Sequence, residues 1–381
     1  MSKRCSMKFV HISDLHIGKR LSEISLAEDQ RHILNQIVGI VRDEKPDGVL
    51  IAGDVYDTTT PSAESVQMLD DFLTDLSDTG TQIFMISGNH DSPEKIGYGS
   101  ALFRRNGIFI NGRFDGPIEP IWLEDCGQQN AEVYLIPFVR PFNVRKRFPD
   151  AEINDYTDAV RTILENSPSR CADFKIAVAH QFVTTTYSDP ETCDSEDPRI
   201  GDLDSMDASV FDTFDYVALG HLHIPQYIGR REVRYSGSPL KYSASEVSVP
   251  KSVTVVTFAA ETEIREVPLT PLRDVRKVRG RLEDIIEAAK TESNTNDLIY
   301  AELTDEPVNA MQRIREVYPN TVNITLIRQE SERSVPRVED IKRMDPLEVF
   351  REMYRGSNGN DMSDEQNSIV RELMERAEVR F

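Results

Sequence analysis

Five short motifs constrain this chain more than any other feature: Asp14-Leu15-His16, Gly53-Asp54-Val55-Tyr56-Asp57, Gly88-Asn89-His90-Asp91, His180, and Gly220-His221-Leu222-His223. Five of the seven histidines fall within them. Each motif closes an apolar, β-branched-rich run, so each reads as a strand delivering a polar residue to one edge of a sheet. Two divalent metals about 3.5–4 Å apart need roughly this mixture of bridging carboxylate, imidazole and amide oxygen. The series therefore predicts strand ends that converge on a binuclear hydrolytic metal centre.

Taken singly the motifs are weak. Asp14 and His16 stand at strand spacing, and such pairs arise by chance; the lone His11 and His32 read as structural or solvent-facing. The force lies in the series. Its charge is also informative, since two divalent ions bring four positive charges against the two negatives of Asp14 and Asp54. Neutral His16, Asn89, His180, His221 and His223 add none. Such a site stays positive after taking up a hydroxide, attracts a phosphodiester, and would lower the pKa of a shared water. Gly53, Gly88 and Gly220 suit sharp turns out of the strands. His90 follows Asn89 directly and so points elsewhere, which makes it the candidate general acid or transition-state donor.

The runs 8–13, 48–52, 82–87, 133–138, 175–179, 216–219 and 252–258 have strand length. Residues 26–42 and 65–76 carry apolar residues at helical spacing, including Ile33, Ile37 and Val41 in the first and Val66, Leu69 and Phe72 in the second. The alternation predicts an α/β fold in which two packed sheets are flanked by helices. No G-x-G-x-x-G follows the first strand, which argues against a dinucleotide-binding sheet. Pro268 and Pro271 mark a border between a main domain, 1–268, and a small α+β cap, 269–330, with a βαβαβ pattern. A polar hinge, 329–336, then leads into residues 331–381, a linker with two amphipathic helices. One starts at Asp345-Pro346-Leu347-Glu348 and presents Leu347, Phe350, Met353 and Tyr354; the other has a Ser363/Gln366 capping box and an apolar face of Ile369, Val370, Leu373, Met374 and Ala377. So short a pair either packs back on the domain or docks a partner helix or coiled coil.

The chain of 381 residues carries a net charge of −21, which disfavours nucleic acid taken as a whole. The acid is unevenly placed: residues 187–215 hold ten Asp or Glu against the single Arg199. Arg140, Arg145, Lys146 and Arg147 form a basic run, as do Arg273, Arg276, Lys277, Arg279 and Arg281. Each is either a solvated face or a phosphate contact. Cys5, Cys126, Cys171 and Cys193 form no C-x-x-C pair, so any metal would be held by nitrogen and oxygen: manganese, iron, zinc or magnesium. No apolar stretch approaches the roughly 18–20 residues of a membrane span. The first residues have no signal-peptide character, and Met7 offers an alternative start, so a cytoplasmic protein is expected.

These motifs resemble the calcineurin-like metallophosphoesterase superfamily, whose pattern D-x-H, G-D, G-N-H-D/E, H and G-H-x-H is complete here. The resemblance implies that Asp14, His16, Asp54 and His223 hold one metal, and that Asp54 bridges to a second held with Asn89, His180 and His221. His90 would be the catalytic histidine, with Asp91 orienting it; Asp57 is a further catalytic candidate of undefined role. Gly53-Asp-Val-Tyr-Asp-Thr58 departs from the G-D-x-V-D-R-G of protein serine/threonine phosphatases. Together with Ser13-Asp-Leu-His-Ile-Gly18, Gly88-Asn-His-Asp-Ser92 and Ser236-Gly-Ser-Pro-Leu240, it is similar to the bacterial SbcD family over nearly the whole chain. That similarity implies a manganese-dependent DNA nuclease, a double-strand exonuclease and single-strand endonuclease. It would be a homodimer within a heterotetramer, associated with the nucleoid and serving DNA repair, recombination and replication. An SMC-like coiled-coil ATPase would dock on residues 336–381. No G-x-x-x-x-G-K-[ST] is present, so ATP would enter only through that partner. A small-molecule phosphodiesterase of the same superfamily is the alternative, mildly favoured by the acidic insert. A non-catalytic scaffold is disfavoured, because no ligand is missing.

Overall fold

The apolar runs become strands because each is buried on both faces, which only a sheet covered on two sides permits. In a computed structural model, which describes residues 6–124, 129–185, 189–196, 205–259, 261–327, 346–358 and 361–376, they form the centres of two six-stranded sheets. The first sheet runs Glu263–Pro268, Ser252–Phe258, Met7–Ile12, Gly48–Ala52, Gln82–Ile86, Ile108–Asn111. The second runs Gln226–Ile228, Arg230–Tyr235, Tyr216–Gly220, Phe174–His180, Asn130–Ile136, Ile121–Glu124. Within the first, Met7–Ile12, Gly48–Ala52 and Gln82–Ile86 are mutually parallel. In the second, Phe174–His180 and Tyr216–Gly220 are parallel too. Parallel strands end on one edge, so the motifs that follow them are delivered together.

The sheets face each other across Phe9, Leu50, Phe84, Val133, Val178, Tyr216 and Phe258. Outside the first sheet lie helices Ala27–Glu44 and Ala63–Ser77, which bury Ile33, Ile37, Val41, Met68, Phe72 and Leu76 against it. Outside the second lie Pro141–Arg147 and Tyr156–Glu165, which bury Val144, Val160 and Ile163. The expected helix-flanked two-sheet α/β sandwich is the observed one. One residue of the expected helical stripe differs: Val66 is 48% exposed, and Met68 takes the core side. Five sheet strands escaped the apolar scan: 108–111, 121–124, 226–228, 230–235 and 263–268. All five lie at or next to a sheet edge, where one side needs no apolar cover; Glu263–Pro268 buries none of its residues fully.

The cap is a three-stranded sheet, Val275–Gly280, Leu298–Leu303 and Thr321–Leu326, with helices Leu282–Ala289 and Ala310–Val317. It has a core of its own in Leu282, Ile299, Leu303, Ile314 and Tyr318. Its other apolar residues, Val275, Leu298 and Val322, belong to the cluster that contains Leu240, Tyr242 and Leu269. The border expected at 268/269 therefore runs through continuous apolar packing, and both parts belong to one compact unit, Met1–Thr325.

The second unit, Leu326–Phe381, contains helices Pro346–Asn358 and Asp364–Arg376. The expected capping box is formed: Ser363 Oγ accepts from the Gln366 amide at 3.2 Å, and Gln366 Oε1 from the Ser363 amide at 2.9 Å. Arg351 donates to Asn367 at 2.7 Å and Gln366 to the Tyr354 hydroxyl at 3.0 Å, so polar contacts link the helices. Within this unit Phe350, Ile369 and Leu373 stay exposed. Residues 1–5 with Cys5, Cys126, residues 186–188 and 197–204 of the acidic insert, the 329–336 hinge, Asp345, the Met353 side chain and Ala377 lie outside what the structure describes. No helix among the described residues is long and apolar enough to cross a membrane.

Candidate metal centre

The chain turns sharply where each strand meets its motif. Asp14, His16, Asp54 and His221 all have positive φ, at 53°, 43°, 47° and 106°. Side chains with a Cβ adopt such angles at a cost of order 1–3 kcal/mol, and they persist where surrounding contacts over-determine them. Those contacts are present. The Asp14 amide donates to the Gly53 carbonyl at 3.1 Å and the His16 amide to that of Asp54 at 2.9 Å, tying the first two motifs together. Gly53 takes the left-handed turn foreseen for it, with φ of 85°. Gly88 and Gly220 serve differently: they are needed for closeness. A Cβ on Gly88 would stand 2.1 Å from Asp54 Oδ1, and one on Gly220 would stand 2.0 Å from the Ala52 carbonyl oxygen.

The structure gathers all ten sequence candidates into one connected group. Asp54 Oδ2 lies 3.3 Å from His180 Nε2 and 3.6 Å from His16 Nε2, between two sets of donors. On one side His16 Nε2 is 3.2 Å from His223 Nε2, and Asp14 completes a cluster with these two. On the other, Asn89 Oδ1 is 3.0 Å from both His180 Nε2 and His221 Nδ1. Oxygen and nitrogen ligands at roughly 2.0–2.2 Å from one ion sit about 3–3.6 Å from each other, the spacing observed here.

The hydrogen bonds also say which ring nitrogens are ligand-ready. His180 Nδ1 lies 2.7 Å from the Ala52 carbonyl, which only accepts, so Nδ1 carries the proton and Nε2 the lone pair. His223 Nδ1 faces Ser195 Oγ at 2.8 Å; His16 Nδ1 stands 3.3 Å from Asp57 Oδ1, an ion-pair distance without hydrogen-bond geometry. Their Nε2 lone pairs then point at each other across 3.2 Å, and those of His180, Asp54 and Asn89 converge likewise. Converging acceptors in a buried place repel unless a cation lies among them. The donor set thus fits two hard or borderline divalent ions.

The electrostatics divide the cluster into two kinds of group. Burial raises Asp14 to about 6 against the pull of His180. Burial would raise Asp54 too, but His180 and His16 outweigh it and hold the carboxyl well below its ordinary range. Burial first, then the charge on His180 and His16, pushes His221 down to about 3 and His223 lower still, which keeps both neutral, as ligands must be. At His180 burial is outweighed by Asp54, which raises it to about 9, and at His16 by Asp57 and Asp54, so these two imidazoles give up an Nε2 proton when they take an ion.

The three residues read as catalytic are placed differently from one another. His90 donates its amide to Asp54 Oδ1 at 2.9 Å; its Nδ1 meets the Asp57 carbonyl at 3.1 Å, and its ring stands edge-on to His16. Asp57 lies between Lys19, at 2.8 Å, and His16. Asp91 accepts from the amides of Val55, Tyr56 and Gly88 at 3.0, 2.8 and 2.9 Å, clamping the Asp54 turn to the Asn89–His90 turn. It touches backbone rather than the ligand cluster in these bonds.

Sequence reasoning missed a further group. Tyr242 stacks edge-on against His16 and His223 and donates to the Leu15 carbonyl at 2.6 Å. Lys251 and Glu246 form a buried ion pair at 2.6 Å behind His223. Ser195 and Glu196, from the acidic insert, contact His223 directly. None stands in a ligand motif, and only a contact made in three dimensions reveals them. His11 is the structural histidine expected, bonded to the Tyr216 hydroxyl at 2.9 Å between the sheets.

With this geometry established, comparison with known proteins defines the class. Residues 7–225 match the calcineurin-like phosphoesterase family model, and the chain belongs to that family; it is a phosphodiester hydrolase. Residues 271–358 match a second model, described as the Type 5 capsule protein repressor C-terminal domain. The SbcD subunit of nuclease SbcCD from Staphylococcus epidermidis is 33% identical over 374 residues, which cover 97% of this chain and 98% of that one. A solved dimetal phosphatase from Danio rerio aligns at a TM-score of 0.40 and 10% identity over 69% of this chain and 98% of its own, a likeness too slight to argue from.

Two outcomes are expected. Gly88→Ala forces its Cβ into Asp54 and should destabilise the fold by about 1–3 kcal/mol. Gly39→Ala, in a helix with nothing within 4 Å of the new Cβ, should instead stabilise by about 0.5–1 kcal/mol. Chemical denaturation reads both, and a neutral Gly88→Ala would contradict the close approach. The second concerns pH. Burial would raise Glu246, but Lys251 outweighs it and holds the carboxyl below its ordinary 4.5. A carboxyl lowered in the folded state stabilises above its unfolded pKa, and that contribution is lost as pH falls through the folded value. Metal-free protein should therefore lose stability below about pH 4.5, and Glu246→Gln should flatten that acid limb. An equally steep limb in the variant would exclude the pair as its source.

Proposed function

We propose that this chain is the nuclease component of a DNA-processing complex, cleaving phosphodiester bonds in double-stranded ends and single strands. The observation that carries the reading is the pair of donor sets that share Asp54, in a chain alike over nearly its full length to a named nuclease component. In this reading Asp14, His16, Asp54 and His223 hold one divalent ion. Asp54, Asn89, His180 and His221 hold the other, and manganese suits the nitrogen and oxygen set. When bound, such a pair supplies Lewis acidity and an activated water. The chain's own residues do the rest. Asp57 orients His16 from behind, as a carboxylate behind a ligating imidazole does. Asp91 keeps the two ligand turns in register through three amides. The bond between His90 Nδ1 and the Asp57 carbonyl fixes the tautomer of a histidine that serves as proton donor to the leaving oxygen.

The net charge of −21 is a poor match for DNA held by this chain alone. A coiled-coil ATPase partner that shares the DNA-binding surface removes the conflict, and the sequence carries no G-x-x-x-x-G-K-[ST]. The exposed Phe350, Ile369 and Leu373 of the terminal helix pair supply an apolar face for it. The working form in this reading is a homodimer within a heterotetramer, in the cytoplasm.

His90→Gln is expected to lower manganese-dependent cleavage of linear duplex DNA by at least about 100-fold while calorimetry still detects manganese uptake. Undiminished cleavage would remove His90 from the chemistry. Replacing Ile369 and Leu373 together by Glu should abolish co-purification of a large ATPase from the native source and leave cleavage by the isolated chain unchanged. Retained co-purification would move the docking surface elsewhere.

A further inference from the structure

Behind His223 lies a chain of buried contacts that leads away from the ligand cluster. His223 Nδ1 is 2.8 Å from Ser195 Oγ, and that hydroxyl donates to Glu246 Oε1 at 2.6 Å. Glu246 Oε2 accepts from Lys251 Nζ at 2.6 Å. Lys251 also donates to the His223 backbone carbonyl at 2.8 Å and to Ser238 Oγ at 2.8 Å. The His223 amide donates to Glu196 Oε1 at 2.8 Å. One residue is thus gripped at its carbonyl, its amide and its ring.

The proton order along the chain is forced. Glu246 is fully buried beside an ammonium and accepts only, so the Ser195 hydroxyl must donate to it. Ser195 then has only lone pairs to offer His223, so Nδ1 carries the proton and Nε2 is left as the ligand atom. A histidine with its second nitrogen hydrogen-bonded, ultimately to a carboxylate, is the more basic and better-oriented ligand. The other side of the cluster uses different devices: His180 leans on a backbone carbonyl, and His16 on Asp57 directly.

We infer that Ser195, Glu246 and Lys251 are positioning residues that tune the affinity of one metal site through His223, and that the acidic insert exists in part to bring Ser195 to that ring. The inference rests on the two-metal reading above and deepens it. It assigns work to a stretch, Asp189–Glu196, that carries no ligand motif, and to an ion pair that would otherwise be costly to bury. A buried pair whose two ends hold the same ligand residue stabilises a geometry more than a fold.

Ser195→Ala cuts the relay at its middle and leaves the Glu246–Lys251 pair intact. Full-length chain is titrated with Mn2+ by calorimetry, with Mn2+ electron paramagnetic resonance as a second readout. Wild type should take up two ions. Ser195→Ala should weaken one of the two by about 10-fold or more, leave the other unchanged, and keep the melting temperature of the metal-free chain. Ser195→Thr restores a hydroxyl and should restore the affinity; a purely structural role would not produce that rescue at a single site. If wild type binds two ions and Ser195→Ala titrates identically, the relay is wrong and the metal centre stands. If wild type binds no Mn2+, the two-metal reading fails and the relay goes with it.

Discussion

The hydrogen bond from His180 Nδ1 to the Ala52 carbonyl crosses from one sheet to the other at the edge where both deliver their motifs. It does two things at once. It satisfies a carbonyl at the end of a strand, and it turns the lone pair of Nε2 into the cluster. Gly53, Gly88 and Gly220 make the approach possible, because a Cβ on any of them would overlap His180, Asp54 or the Ala52 carbonyl. The ligand cluster depends on how closely two sheets meet, and that closeness depends on glycines.

Three buried acidic groups then divide the labour. Asp54 lies between the two donor sets, Asp91 holds backbone amides, and Glu246 neutralises Lys251 while reaching His223 through a serine. Each would be expensive to bury alone. Each is offset by a different partner: imidazoles, peptide N–H groups, or an ammonium. The same chemical group therefore bears three separate duties within a small volume, and its surroundings decide which.

Much of the fold was legible from the chain. The seven interior strands announced themselves because burial on both faces demands continuous apolar runs, as in Leu50 and Ile51 or Val217 and Ala218. The five missed sheet strands lie at or beside the edges, where Arg230, Arg231 and Glu263 are tolerated because one side meets solvent. At the border expected at Pro268 the apolar packing is continuous. Proline marks a turn in the chain, yet Val275 and Leu298 still find apolar partners across it.

The ligand residues could be named from sequence because metal chemistry restricts the choice to a few residue types, and strand endings restrict where they stand. Sequence alone thus determined the metal-binding vocabulary and the layered α/β class. Tertiary structure decided the grammar: which nitrogen of each histidine faces inward, that Asp91 grips amides rather than the ligand cluster, and that Ser195 and Glu246 stand behind His223. Those facts depend on distances between residues as far apart as Ala52 and His180 or Ser195 and Glu246. No local pattern encodes such distances, because they arise only when separate strands and loops are packed against one another.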